Sequence, residues 1–212
     1  MRKIPLFKVF MPESVKEPLL ETVFSGFITE GPKAKEFQER FQAWIGNPHI
    51  ALMNSCTSAI TVALRLCDVK AGAEVIATPQ TCLATNEPIA LLGAKIVWAD
   101  IDPATGNIDS NSIEKRITPK TKAIIYVHWS GIPAKIDEIN ALAKKHKIKV
   151  IEDAAHALGA LYKGKKIGNH SDFVCYSFQA IKHLTTADGG ALACKRKEDY
   201  ERAILLRWFG MS

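Results

Sequence analysis

The run Ala123-Ile124-Ile125-Tyr126-Val127 has no charged residue and no alternation of polar with apolar side chains. A strand of that kind must be covered on both faces, so it belongs in the middle of a sheet flanked by helices. The surrounding sequence supplies both kinds of element. Short β-prone runs at residues 49–54, 74–78, 95–99, 123–128, 149–152, 173–178 and 190–194 are mostly separated by stretches of helical periodicity. Those stretches fall at residues 33–45, 58–67, 85–92 and 136–146, with a last helix opening near Lys197. The pattern predicts an α/β fold, a three-layer sandwich around a mostly parallel seven-stranded sheet. A short amphipathic piece at residues 15–24 precedes it, and Gly26 and Gly31-Pro32 break the chain before the first periodic helix.

With 212 residues, one sizeable core is the expectation. The net charge of +6 is dispersed. Its densest clusters, at 144–147 and 163–166, lack interleaved aromatics and read as helix ends and turns rather than a nucleic-acid stripe. Five cysteines form no CxxC pair, which fits reduced thiols in a cytoplasmic protein. The charged start Met1-Arg2-Lys3 leads into no apolar segment of a signal peptide, and no apolar run approaches the ~20 residues of a membrane helix. A soluble, cytoplasmic protein is expected, with neither nucleic acid nor membrane as partner.

Ligands of open α/β sheets collect beyond the carboxyl ends of the strands. The first strand runs into Asn54-Ser55-Cys56-Thr57-Ser58, a hydroxyl-rich helix start that can cap the helix or receive a phosphate. No GxGxxG and no GxxxxGK[ST] occurs. The fifth strand ends in Glu152-Asp153-Ala154-Ala155-His156, an acidic strand end whose small neighbours leave room for a flat ligand. Asp153 can also serve as a plain turn cap. If Asp153 and His156 shared a helix face they could begin a metal site, but no third ligand stands at matching spacing, and no metal is expected. The sixth strand passes Ser177, and the polar segment after it carries a single Lys182 before Thr185-Thr186 and Gly189-Gly190. By itself such a lysine reads as a solvated loop residue.

The four features become informative together. A phosphate at the helix start, a carboxylate for a protonated ring nitrogen, a serine and a lysine amine able to form an imine describe pyridoxal 5′-phosphate (PLP). Lysine can both hold the cofactor and, once displaced, carry protons.

The ordered motifs resemble the DegT/DnrJ/EryC1/StrS family of PLP-dependent sugar aminotransferases of fold type I. The likeness begins at Gly31-Pro32, runs through residues 54–64 and 79–94, Ala99-Asp100-Ile101-Asp102, and Val127-His128 with Gly131 and Pro133. It ends with residues 152–160 and 177–190. By position, the resemblance implies Lys182 as the Schiff-base lysine and Asp153 as partner of the ring nitrogen. It implies Thr57, the backbone of Cys56 and Ser177 as phosphate contacts, and His156 near the ring hydroxyl. The implied reaction is transfer of an amino group, commonly from glutamate, to a keto sugar nucleotide in amino-sugar, polysaccharide or lipopolysaccharide biosynthesis. A homodimer sharing its sites is implied as well.

Three positions depart from the family pattern. Cys82 stands in the segment that usually supplies an aromatic residue stacking on the cofactor, His183 replaces a common asparagine, and Cys56 a common glycine. Some relatives carry histidine in place of the lysine and act as dehydratases, so a PLP-dependent sugar dehydratase is the alternative on the same scaffold. A non-catalytic PLP-binding or regulatory module is another. The family continues into a smaller C-terminal domain that this sequence does not include. The expected organisation is therefore residues 1–30 as a segment packing on the large domain or on a partner subunit, and 31–212 as the PLP-binding large domain.

Overall fold

The computed structural model of the chain describes residues 3–5 and 7–211. Met1, Arg2, Leu6 and Ser212, which figure in the readings of the two ends, lie outside them. The elements follow in the order α1 (Lys16–Phe24), α2 (Pro32–Ile45), β1 (Ile50–Met53), α3 (Cys56–Leu66), β2 (Glu74–Ala77), α4 (Leu83–Leu91) and β3 (Lys95–Trp98). Then come α5 (Ser110–Glu114), β4 (Thr121–Val127), α6 (Ile136–His146), β5 (Lys149–Asp153), β6 (Leu161–Tyr162) and β7 (Lys165–Lys166). The last are β8 (Phe173–Ser177), β9 (Gly190–Cys194) and α7 (Lys197–Arg207).

Seven strands form one sheet in the order β1-β9-β8-β5-β4-β2-β3. Every neighbouring pair is parallel except the two that involve β9, which runs antiparallel to both β1 and β8. β4 lies inside the sheet, and Ala123 through Tyr126 have no exposure to solvent. Each fully buried aliphatic side chain of this kind contributes about 1.5–3 kcal/mol of burial. Side chains alternate across the strand. Ala123 and Ile125 enter one core with Ala59, Ile60, Ala63 and Leu64 of α3, Ile89 of α4 and Ala203 of α7. Ile124 and Tyr126 enter the opposite core with Ile113 of α5 and Ile139 and Ala143 of α6. α2 completes that second layer through Phe41 and Ile45, which pack on Val174 and Tyr176 of β8. The architecture is the expected three-layer α/β sandwich.

The structure adds two elements that the periodicity did not mark. α5 is a single short turn of helix capped by Asp109, whose side chain accepts from the Asn111 amide. β6 and β7 form a hairpin whose turn residues, Lys163 and Gly164, both have positive φ, as a two-residue turn of the primed type requires. The basic cluster at 163–166 is this hairpin, and the cluster at 144–147 ends α6, where lysines suit the negative end of the helix dipole.

α1 has no buried residue, and Leu19, Leu20, Val23 and Phe24 are exposed on it. Among the described residues, no helix is long and apolar enough to cross a membrane.

Candidate active site

The carboxyl ends of β1, β8 and β5 and the start of β9 lie side by side on one edge of the sheet. Gly190 is in register with Met53 on one side and with Ser177 on the other. A β-carbon added to Gly190 would stand 2.5 Å from the Ser55 carbonyl carbon and 2.6 Å from the Cys56 nitrogen. The absent side chain therefore lets α3 begin directly against β9. Ser55 closes this start: it has extended backbone angles, and its hydroxyl accepts the Ser58 amide at 3.1 Å. The sequence placed the helix from Ser58. It opens instead at Cys56, so Cys56 and Thr57 belong to its first turn, where amides find no helical carbonyl. Thr57 is half-buried, and Ser177 is buried at the end of β8.

Asp153 is the last residue of β5 and is 4% exposed. Its Oδ1 accepts the Ala155 amide at 3.0 Å and lies 3.9 Å from the Cys56 thiol, which donates to it. Its Oδ2 accepts the Thr85 hydroxyl at 2.7 Å. The turn-capping role and the strand-end carboxylate are thus the same residue. The chain after Asp153 forms turns rather than a helix, so Asp153 and His156 share no helix face. Among the described residues, no group of three His, Cys, Asp or Glu side chains is placed to hold a metal ion.

Lys182 sits half-buried in the loop joining β8 to β9, its amide bonded to the Gln179 carbonyl at 2.9 Å. The mouth of that loop is tied by Phe178, whose amide donates to Gly189 and whose carbonyl receives the Thr186 amide. The fields of the charged groups show how the pieces converge. Burial pushes the Cys56 thiol well above its ordinary value, the Asp153 carboxylate adds to the rise, and the Lys182 charge opposes it. Burial lowers the pKa of His156, the Lys182 ammonium lowers it further, and Asp153 works against both. Lys182, Asp153, Cys56 and His156 therefore form one electrostatic neighbourhood, with Thr57 next in chain to Cys56 and Ser177 in register with Gly190.

Several polar groups here were invisible to strand-end reading. Thr85 is buried in the first turn of α4, and Thr81 lies 2.7 Å from it. Glu152, read as part of the acidic strand end, turns to the other face by the two-residue alternation of a strand and bonds His128 there. Trp129, after β4, is held by its amide on the Asn107 side-chain oxygen at 2.9 Å, and its ring lies 6.2 Å from that of His156. Gly131 passes so close beneath that an added β-carbon would meet the His156 carbonyl oxygen at 2.8 Å.

The model of the DegT/DnrJ/EryC1/StrS aminotransferase family matches residues 11–212. The chain belongs to that family. Its aminotransferases are PLP-dependent, and the fold described above is theirs. Spore coat polysaccharide biosynthesis protein SpsC of Bacillus subtilis is 40% identical to this DegT/DnrJ/EryC1/StrS family chain over 200 residues, covering 94% of it and 51% of SpsC. The sugar aminotransferase CalS13 of Micromonospora echinospora superposes with a TM-score of 0.95 at 36% identity, over 99% of this chain and 59% of CalS13. Spr1654 of Streptococcus pneumoniae, in its PLP-form, gives a TM-score of 0.92 at 33% identity over 97% of this chain and 58% of its own. The chain spans about half the length of the curated relatives it matches.

Proposed function

We propose that this chain is the PLP-binding large domain of an aminotransferase that passes an amino group, from glutamate, to a keto sugar nucleotide. The observation that carries the proposal is the meeting of Lys182, Asp153 and the open first turn of α3 at one sheet edge, in a chain matched to the family across residues 11–212. The donor set fits the cofactor. The first-turn amides of α3, the Thr57 hydroxyl and Ser177 suit a phosphate dianion. Asp153 offers a buried carboxylate to a ring nitrogen, and His156 offers a neutral imidazole to a ring hydroxyl. Lys182 offers the amine.

When bound, PLP supplies an electron sink for the carbon that carries the amino group. The chain's own residues supply the rest. Asp153 would hold a proton on the ring nitrogen, and Lys182 Nζ would be the group placed to move protons at the reacting carbon. SpsC acts in polysaccharide biosynthesis and CalS13 is a sugar aminotransferase, which supports the sugar class of acceptor. On this reading residues 31–212 form the cofactor domain of a cytoplasmic homodimer, and residues 1–30, with their exposed apolar side chains, pack against the domain or a partner subunit.

The test has two parts. PLP added to the purified chain should give a visible absorption band that Lys182→Ala removes without unfolding the protein, since a half-buried loop side chain is lost and no core volume. A keto sugar nucleotide should then be aminated only when glutamate is present. Sugar turnover without any donor would replace the proposal with a dehydratase. The absence of a lysine-dependent band would leave a non-catalytic module.

A further inference from the structure

The loop between β2 and α4 contains no aromatic side chain: it reads Thr78-Pro79-Gln80-Thr81-Cys82. It is nonetheless tied to the centre of the site by hydroxyl groups. Thr85 donates to Asp153 Oδ2 at 2.7 Å, and the Thr81 and Thr85 oxygens are 2.7 Å apart. A hydroxyl has one proton, and a carboxylate has none to give. Because the Thr85 proton goes to Asp153, the proton between the two threonines must come from Thr81. The direction is therefore fixed: Thr81 to Thr85 to Asp153. Donors aligned in this way polarise one another, and the last bond of the series, to a carboxylate, is of the stronger charge-assisted kind.

The two carboxylate oxygens are held differently. Oδ1 takes the Ala155 amide and the weak Cys56 thiol contact, while among the described residues Oδ2 is bonded by Thr85 alone. The amide lies on Asp153's own strand exit and moves with it. Thr85 belongs to α4, a separate element packed on the sheet through Ile89. The Thr85 bond is thus what fixes the rotation of the carboxylate plane against the rest of the site.

We propose that Thr85, backed by Thr81, is the positioning residue that orients Asp153 toward the cofactor ring. This deepens the PLP reading and rests on it. Its role is to hold the carboxylate that the ring nitrogen would meet.

The experiment titrates the purified chain with PLP, recording the visible spectrum, for wild type, Thr85→Val, Thr85→Ser and Thr81→Val, alongside thermal unfolding without cofactor. Thr85→Val keeps the volume and loses the donor. It should bind PLP about tenfold more weakly, the scale of one hydrogen bond to a charged group. Its visible bands should be altered in proportion, while cofactor-free unfolding stays near that of wild type. Thr85→Ser should restore affinity and spectrum, and Thr81→Val should move both in the same direction by less. Wild-type affinity and an unchanged spectrum in Thr85→Val overturn the relay, and so does a Thr85→Ser that folds but restores neither. Should Thr85→Val fail to fold, Thr81→Val decides, because its half-buried hydroxyl is not a core group; no change there overturns the proposal. A wild-type chain with no visible band overturns the cofactor reading itself, and the relay falls with it.

Discussion

His128 and Glu152 meet at 2.9 Å between Nε2 and Oε2, and neither side chain has any exposure to solvent. The His128 Nδ1 accepts the Ala134 amide at 3.1 Å, so its proton sits on Nε2 and is donated to the carboxylate. This pair stands behind the sheet and ties the exit of β4 to β5, while the His128 amide reaches the Asp153 carbonyl at 3.1 Å. Removing one partner leaves the other buried without its bond. His128→Ala should cost about 3–5 kcal/mol, read as a lower urea midpoint. A loss under about 1 kcal/mol would show that the pair is not an important support of the fold.

Gly190 is the second point of structural sensitivity. An alanine there would press its methyl into the Ser55–Cys56 peptide, which is backbone and cannot swing aside. Gly190→Ala should destabilise the chain by about 1–3 kcal/mol, the usual range for overpacking. It should also weaken phosphate-dependent binding more than binding of pyridoxal lacking the phosphate, as compared by equilibrium titration of both. Equal losses for the two ligands would contradict the assignment of the α3 start.

The lowered pKa of His156 has a direction in solution. Burial and the Lys182 charge make its protonation harder in the folded chain than in the unfolded one, where the value is near 6.5. Between these two values the unfolded state binds more protons. His156 therefore subtracts stability as pH falls below about 6.5, and the loss levels off once pH is under the lowered folded value. Thermal unfolding measured from pH 7 to 5 should fall more steeply for wild type than for His156→Gln. Parallel curves would remove His156 as the cause.

The thiols should differ in reactivity. Cys82 is exposed at the start of α4. Cys56, Cys67, Cys175 and Cys194 are buried, and burial pushes their pKa values up, for Cys194 to about 12. The thiolate is the reactive form. Mass spectrometry after brief alkylation should show one modified residue, Cys82, in the native chain and all five after denaturation. Rapid native labelling of Cys56 would mean that the α3 start opens in solution.

The sheet was legible in the sequence because its strands are short apolar runs, and a run such as 123–127 has only one place to go. Boundaries were less so: α3 begins two residues before the periodic stretch because Ser55 makes the cap. α5 and the β6–β7 hairpin are held by single caps and turns that leave no period to detect. Within the candidate site, Asp153 and Lys182 were singled out because strand ends and loops project toward one edge. Thr85 was missed as a partner because a threonine in a helix start reads as capping. Its bond to Asp153 spans 68 positions, a relation that only the packing of α4 on the sheet creates. Glu152 was read beside Asp153, yet adjacency along a strand sends neighbours to opposite sides.

β9, the antiparallel member of the seven-stranded sheet, also bears on the order of assembly. β1 has β9 as its neighbour in the sheet, and 136 residues separate Met53 from Gly190. As the chain leaves the ribosome, β1 and the helix start that follows it are made early and wait with an open edge. β2, β3, β4, β5 and β8 can pair with one another in the meantime. β1 is recruited only when β9 emerges and slots between it and β8, a long-range closure of the kind that slows folding. The corner where α3 begins is thus the last part of the sheet to be locked. A nascent chain stopped before residue 190 would hold Asp153 in β5 without the strand that seats β1 beside β8.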